Sequence, residues 1–241
     1  MGSQSWIKCR GSTVNGGWIM KDVKLVIFDM DGLLFDTERT SFKAMSKSME
    51  AAGFDFPIET YKRMIGISDQ GSEEIIREIC GKKSLIDQIF KGYDQEFKNI
   101  LETEGIIMKT GVEKLLDNLD ENSVRKCIAS SSSRETIKKY LTMTGLMERF
   151  DFYVSGQEVE NGKPAPDVFL EACRRANVPP ELALILEDSL HGLRAAVKAD
   201  IPCIIVPDLI EANDEMQKDA YQVVSNLEEV IDVMNGLTGS K

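Results

Sequence analysis

The chain is poor in the residues that build soft-metal sites. Its 241 residues hold one histidine, His191, and five cysteines. No CxxC spacing and no Cys/His cluster occurs, so the usual zinc patterns are missing. The five cysteines (Cys9, Cys80, Cys127, Cys173, Cys203) are odd in number and widely spaced, which does not make a disulfide framework. Cys127 and Cys203 lie in apolar strand-like runs, the pattern of reduced, buried thiols in a cytoplasmic protein. No apolar run approaches the roughly 18 residues of a membrane-spanning helix. Positive charge is also short, with 29 Lys and Arg against 40 Asp and Glu and a formal net charge of −11. That balance argues against a basic face for nucleic acid or for an anionic membrane. It leaves room for a small phosphorylated ligand, which needs only a few local cations. Internal repeats and low-complexity tracts are absent.

What is present suits a folded domain. Hydrophobic residues make up 42% of the chain, enough for a core. Residues 1–19, rich in Gly and Ser and without strand or helix period, read as a leader outside the fold, disordered or non-native. Apolar strand-like runs recur at 24–28, 124–129, 151–154, 183–187 and 202–206. Segments of helical period lie between most of them. Phe169, Ala172, Cys173 and Ala176 share one face, as do Leu227, Val230, Ile231 and Met234. Strand alternating with helix predicts an α/β fold, a parallel sheet covered on both faces.

One gap breaks this rhythm. Nearly all of 37–107 reads as helix, with apolar positions at Phe42, Met45, Met49 and Ala52, then Ile75, Ile76, Ile79 and Cys80, then Ile86, Ile89, Phe90, Tyr93, Phe97 and Ile100. That is too much chain for one crossover. The expectation is a small helical domain inserted into the sheet domain, with hinges near 35–37 and 104–111. Pro57 and the turn Gly66-Ile67-Ser68-Asp69-Gln70 mark loops within it.

Ligands of open parallel sheets bind at the carboxyl ends of the strands, so the residues there matter most. The first run, Lys24–Phe28, ends in Asp29-Met30-Asp31-Gly32. A buried strand has no local use for two carboxylates at its end. The second run ends in Ser130-Ser131-Ser132-Ser133-Arg134. A loop after the third carries Asn161-Gly162-Lys163-Pro164-Ala165-Pro166. The fourth ends in Glu187-Asp188-Ser189. Any one of these has an ordinary explanation: a solvated turn, a helix cap, a surface lysine. Together they bring carboxylates, a hydroxyl and an ammonium to one edge. Asp29 and Asp188 suit a hard cation such as Mg²⁺. Ser130 can donate to a phosphate oxygen, and Lys163 can neutralise charge on both phosphate and Asp29. Without cation and lysine, Asp29, Asp31, Glu187 and Asp188 would repel one another. His191 reads as a helix-face residue near the site.

In this order of motifs, over 22–235, the chain resembles the haloacid dehalogenase superfamily, in the subgroup with a helical cap between the first two core strands. The resemblance implies a Rossmann-like, doubly wound core (20–36 and 108–241) and a helical cap (37–107). It implies a nucleophile at Asp29 and a general acid/base at Asp31. It implies Mg²⁺ held by Asp29, the carbonyl of Asp31, Asp188 and, through water, Glu187. The phosphoryl group would be held by Ser130, Ser131 and Lys163. Substrate selection would fall to the cap turn Gly66, Ile67, Ser68, Asp69 and Gln70.

Asp31 points away from halide displacement, which needs no proton donor, and towards phosphoryl transfer. The subgroup's phosphonate-cleaving members carry a Schiff-base lysine near the cap turn, where this chain has Ser68 and Asp69. Its beta-phosphoglucomutases carry a cap arginine and a histidine where this chain has Asp69 and Ser41. An acid where a second phosphate should sit would repel it. The expectation is a phosphatase acting on a small phosphorylated metabolite, with a phosphosugar mutase as the alternative and a monomer as the default state. A phosphoacceptor receiver domain is shorter, has no helical insertion and bears its aspartate after a later strand.

Overall fold

The structure, a computed structural model, describes residues 23–67 and 69–238. The leader expected over 1–19 lies outside them. The sheet is six-stranded, in the order β3-β2-β1-β4-β5-β6. Its strands are β1 (Leu25–Phe28), β2 (Arg125–Ser130), β3 (Phe152–Ser155), β4 (Ala183–Glu187), β5 (Cys203–Ile205) and β6 (Gln222–Val223). Every neighbouring pair is parallel. The order reverses direction between β1 and β4, and such a switch point leaves a crevice beyond the strand ends.

β1 reads Leu-Val-Ile-Phe, and all four residues are buried. Val26 and Phe28 face a layer containing Leu115 and Leu116 of α5 (Val112–Glu121), Leu141 of α6 (Arg134–Thr144) and Val230 of α10 (Leu227–Thr238). Leu25 and Ile27 face the opposite layer, with Phe169 and Ala172 of α7 (Asp167–Ala176) and Ala195 and Ala196 of α8 (Leu190–Ala199). The period of two along the strand sends alternate side chains into two cores. At roughly 1.5–3 kcal/mol for each fully buried large side chain, this double burial fixes the register at which Asp29 leaves the sheet. A short helix α9 (Asp214–Asp219) and the edge strand β6 complete the domain.

Between β1 and β2 the chain forms α1 (Thr37–Ala51), α2 (Ile58–Lys62), α3 (Asp69–Cys80) and α4 (Lys83–Glu104). These helices have their own core of Met45, Met49, Phe56, Tyr61, Ile76, Ile86 and Ile89. α1 and α4 approach closely where Ser48 Oγ donates to the Ile89 carbonyl at 2.7 Å. Gly92 makes room there, because a Cβ on it would lie 2.4 Å from Ser48 Oγ.

The outgoing and returning linkers run side by side. Asp36 N–H donates to the Ile107 carbonyl at 2.8 Å, and Lys109 N–H donates to the Leu34 carbonyl at 2.9 Å. Phe35 is fully buried beneath this bridge, edge-on to Tyr140. Cys80, Cys127, Cys173 and Cys203 are all free. Among the described residues, no helix is long and apolar enough to cross a membrane.

Candidate active site

Asp29 and Glu187 stand at the carboxyl ends of adjacent strands. The N–H of Asp29 donates to the Leu186 carbonyl at 3.0 Å, extending the ladder one residue beyond β1. The chain then turns sharply: Gly32 has φ +80° and its N–H donates to the Phe35 carbonyl at 2.9 Å. A Cβ on Gly32 would fall 2.2 Å from Asp188 Oδ2. Glycine is thus required twice over, for its backbone angle and for the approach of Asp188.

Carboxylate oxygens of Asp29, Glu187 and Asp188 lie within 4.8 Å of one another. Lys163 enters from the loop after β3, its side chain only 5% exposed. Its ammonium donates to Asp29 Oδ1 at 2.5 Å, Glu187 Oε1 at 2.7 Å and the Ala129 carbonyl at 3.1 Å. An ammonium has three donors, and all are engaged. Lys163 therefore presents charge to a ligand in this arrangement, with no donor left over.

The second oxygen of Glu187 accepts from Asp188 N–H at 3.0 Å, Ser189 N–H at 2.9 Å and Ser189 Oγ at 2.9 Å. Gly192 is what admits this carboxylate, since a Cβ there would lie 1.8 Å from Glu187 Oε1. Ser189 caps α8 by accepting from Gly192 N–H, so the capping role belongs to Ser189 and leaves Asp188 free for the site.

The electrostatics are those of a cluster short of positive charge. Burial, with Glu187 and Asp31 adding repulsion, raises the Asp29 carboxyl to about 7, although Lys163 pulls the other way. Burial, with Glu187 and Asp29, raises Asp188 well above the usual carboxylate range. Asp31 is raised too, chiefly by burial, and the Ser132 hydroxyl opposes the shift. Burial disfavours the Lys163 ammonium, but Asp29 and Glu187 outweigh it and hold the lysine protonated. Among the described residues Asp188 has no ion pair. Buried carboxylates with one lysine between them, and oxygen donors only, fit a hard divalent cation.

The serines of the run Ser130–Ser133 are not equivalent. Ser130 is buried; its Oγ accepts from Ser132 N–H at 3.0 Å, which leaves its own O–H to donate into the site. Ser131 is exposed, with its backbone against Gly156. Ser132 Oγ donates to Asp31 Oδ2 at 2.7 Å. Ser133 caps α6, accepting from Thr136 N–H at 3.1 Å. Nothing in the sequence distinguishes Ser132 within the run except its even spacing from Ser130.

The turn expected to read the substrate approaches the core at Gly66, where a Cβ would lie 3.5 Å from His191 Nδ1. Ile67 is 43% exposed. Gln70 is exposed and donates to Glu74. Ser68 and the side chain of Asp69 lie outside what the structure describes. Arg39 of α1, Lys62 of α2 and Arg63 in the turn after α2 are each paired. Arg39 binds Asp36 and Asp208, Lys62 binds Glu59, and Arg63 binds Glu78. They line a cleft of about 730 Å³ with Asp208 and Leu209 that Asp29, Asp31, Glu187 and Asp188 do not line.

Glu38 was not among the expected site residues. Tyr61 Oη donates to its carboxylate at 2.8 Å, and burial, with Asp31, Asp208 and Asp36 nearby, raises its pKa. Its place directly after Asp36-Thr37 was the available signal.

Residues 26–206 match the model of the haloacid dehalogenase-like hydrolase family. With the acidic strand ends, the cationic bridge at Lys163 and the switch-point sheet, that match makes the class plain: the chain belongs to the haloacid dehalogenase-like hydrolases. It is 29% identical to a phosphorylated carbohydrates phosphatase of Thermotoga maritima, over 88% of this chain and 98% of that one. It is 34% identical to a probable pseudouridine-5'-phosphatase of Drosophila melanogaster, over 87% and 92%. A variant of CbbY from Rhodobacter sphaeroides, solved with xylulose-(1,5)bisphosphate, superposes with TM-score 0.68 at 26% identity, covering 86% of this chain and 96% of that one.

Proposed function

We propose that the protein is a Mg²⁺-dependent phosphatase that hydrolyses a small phosphate monoester, a sugar phosphate or a related ester, through a phosphorylated Asp29. The observation that carries this reading is Lys163 clamped between Asp29 and Glu187, beside an Asp188 that has no ion pair among the described residues. Asp29, Asp188 and the Asp31 carbonyl would hold Mg²⁺. Glu187 would contribute only through water, because both its oxygens already accept from protein donors. Bound there, the ion would offset charge on the phosphoryl oxygens and so let an anionic nucleophile approach an anionic ester.

The rest falls to side chains. An Asp29 oxygen attacks phosphorus while the bond from phosphorus to the ester oxygen breaks, and Asp31 gives its proton to that oxygen. A water then attacks the phosphoryl group, Asp31 takes up its proton, and phosphate leaves with Asp29 restored. Ser130 donates to a phosphoryl oxygen and Lys163 supplies charge. Residues 37–107 act as a cap that limits access of water and selects the leaving group through 66–70.

Two of the relatives are named for phosphatase activity on phosphorylated carbohydrates or pseudouridine 5'-phosphate, and a third was solved with a sugar bisphosphate. They support a polyhydroxylated leaving group. Hydrolysis is favoured over a mutase because Arg39, Lys62 and Arg63, the cations that line the cleft, are already paired with Asp36, Asp208, Glu59 and Glu78. Para-nitrophenyl phosphate and a panel of sugar phosphates, assayed with Mg²⁺ and with chelator, test the proposal. Turnover that survives chelation counts against it. Efficient conversion of beta-glucose 1-phosphate to glucose 6-phosphate, given the bisphosphate activator, would favour the mutase.

A further inference from the structure

We infer that Ser132 is a positioning residue for the proton donor Asp31, and that the end of β3 is built to hold it in place. Ser132 Oγ donates to Asp31 Oδ2 at 2.7 Å, across a separation of 101 residues in sequence. A hydroxyl on an exposed loop would sample several rotamers, and an aspartate with one fixed hydrogen bond would do the same. Here both ends of the Ser132 backbone are tied to buried serines. Its N–H donates to Ser130 Oγ at 3.0 Å, and its carbonyl accepts from Ser155 Oγ at 2.7 Å. Ser130 is 1% exposed and Ser155 0% exposed, both at the ends of adjacent paired strands.

Ser155 is itself fixed. It starts a capping box in which its N–H donates to Glu158 Oε2 at 2.9 Å and its Oγ accepts from Gln157 N–H at 3.2 Å. The next residue, Gly156, lets this turn lie against the serine loop, since a Cβ there would be 3.1 Å from Ser131 Cα. The path runs from the β3 end through the Ser132 backbone to its hydroxyl and on to the oxygen of Asp31. None of these bonds reaches Asp29, Lys163, Glu187 or Asp188. Ser130 is the one residue the device shares with the proposed phosphoryl site, and its Oγ serves Ser132 as an acceptor.

The inference rests on the phosphatase reading, and leaving-group chemistry separates the two. General acid catalysis matters for an alkyl ester, whose alkoxide leaves poorly, and little for para-nitrophenolate, which leaves without a proton. The test compares kcat/KM of wild type, Ser132→Ala and Ser132→Thr on para-nitrophenyl phosphate and on glycerol 2-phosphate, both with Mg²⁺. Ser132→Ala is expected to raise the ratio of aryl to alkyl kcat/KM by about 10-fold or more, part of the 10²–10⁴-fold that a positioned acid supplies. Ser132→Thr, which keeps the hydroxyl, restores the ratio. Ser132→Val, isosteric with threonine, repeats the comparison at matched volume, so a failure of the alanine variant to fold leaves the test intact. Ser133→Ala, which removes only the α6 cap, leaves the ratio at the wild-type value. A wild-type ratio in Ser132→Ala or Ser132→Val, or a threonine variant no better than valine, overturns the inference. A wild type that hydrolyses neither ester overturns the phosphatase reading instead.

Discussion

Replacing Asp29 by asparagine should make the metal-free protein more stable while it destroys turnover. Asparagine has the shape of the protonated carboxyl, which is the form the folded apo site favours. Asp29 titrates near 3.8 in an unstructured chain and is raised to about 7 in the fold, first by burial and then by Glu187 and Asp31. The sign follows from linkage. Below about 3.8 the residue is neutral in both states and costs nothing. Between about 4 and 7 only the unfolded chain has lost the proton, and the fold loses roughly 1.4 kcal/mol of stability per pH unit. Above about 7 the penalty is complete, at about 4 kcal/mol. Asp29→Asn is therefore expected to exceed wild type by about 2 kcal/mol at pH 5 and about 4 kcal/mol at pH 8. Urea unfolding in chelator at both pH values measures this. Mg²⁺ should close the gap at pH 8 by stabilising the wild type. A variant no more stable than wild type at pH 8, or a gap independent of pH, would refute the reasoning that the apo cluster is electrostatically strained.

Two further outcomes follow from the packing. Gly192→Ala puts a methyl where Glu187 now sits, 1.8 Å from Oε1, and should cost about 1–3 kcal/mol and most of kcat/KM; denaturation with steady-state kinetics checks it, and near-wild-type activity would show that Glu187 can move without harm. Asp208, its side chain 2% exposed, accepts from Arg39 at 2.6 Å on the outgoing linker side and from Lys109 at 2.5 Å on the return. Asp208→Asn should cost about 1–2 kcal/mol, discounted because Arg39 is half exposed, and should shift kcat and KM together; unchanged kinetic parameters would show that the linkers move independently of it.

Strands buried on both faces leave continuous apolar runs, which is why Ala183–Glu187 could be read from sequence to the residue. β6 could not: it is two residues long, sits at the sheet edge and has an exposed Gln222. α2, one turn and a half after Pro57, is too short for a helical period to register. The acidic strand ends were legible because charge is out of place there, and the fold brings Asp29, Lys163, Glu187 and Asp188 together. Ser132 and Asp208 escaped notice because their partners are distant in sequence, and a Ser within a run of four or an Asp on a loop carries no mark of the contact it will make. The pairing of Arg39 with Asp208 is of the same kind: only the fold shows that a cap cation is already spent.

The central claim, a phosphoryl group carried on Asp29, is tested most directly by acid-quenching the protein during turnover and mapping the adduct by mass spectrometry. The account predicts one phosphoryl group on Asp29 in the presence of Mg²⁺, more of it in Asp31→Asn given an aryl ester, and none in Asp29→Asn or with chelator. Continued hydrolysis by Asp29→Asn, or an adduct on any other residue, would contradict it.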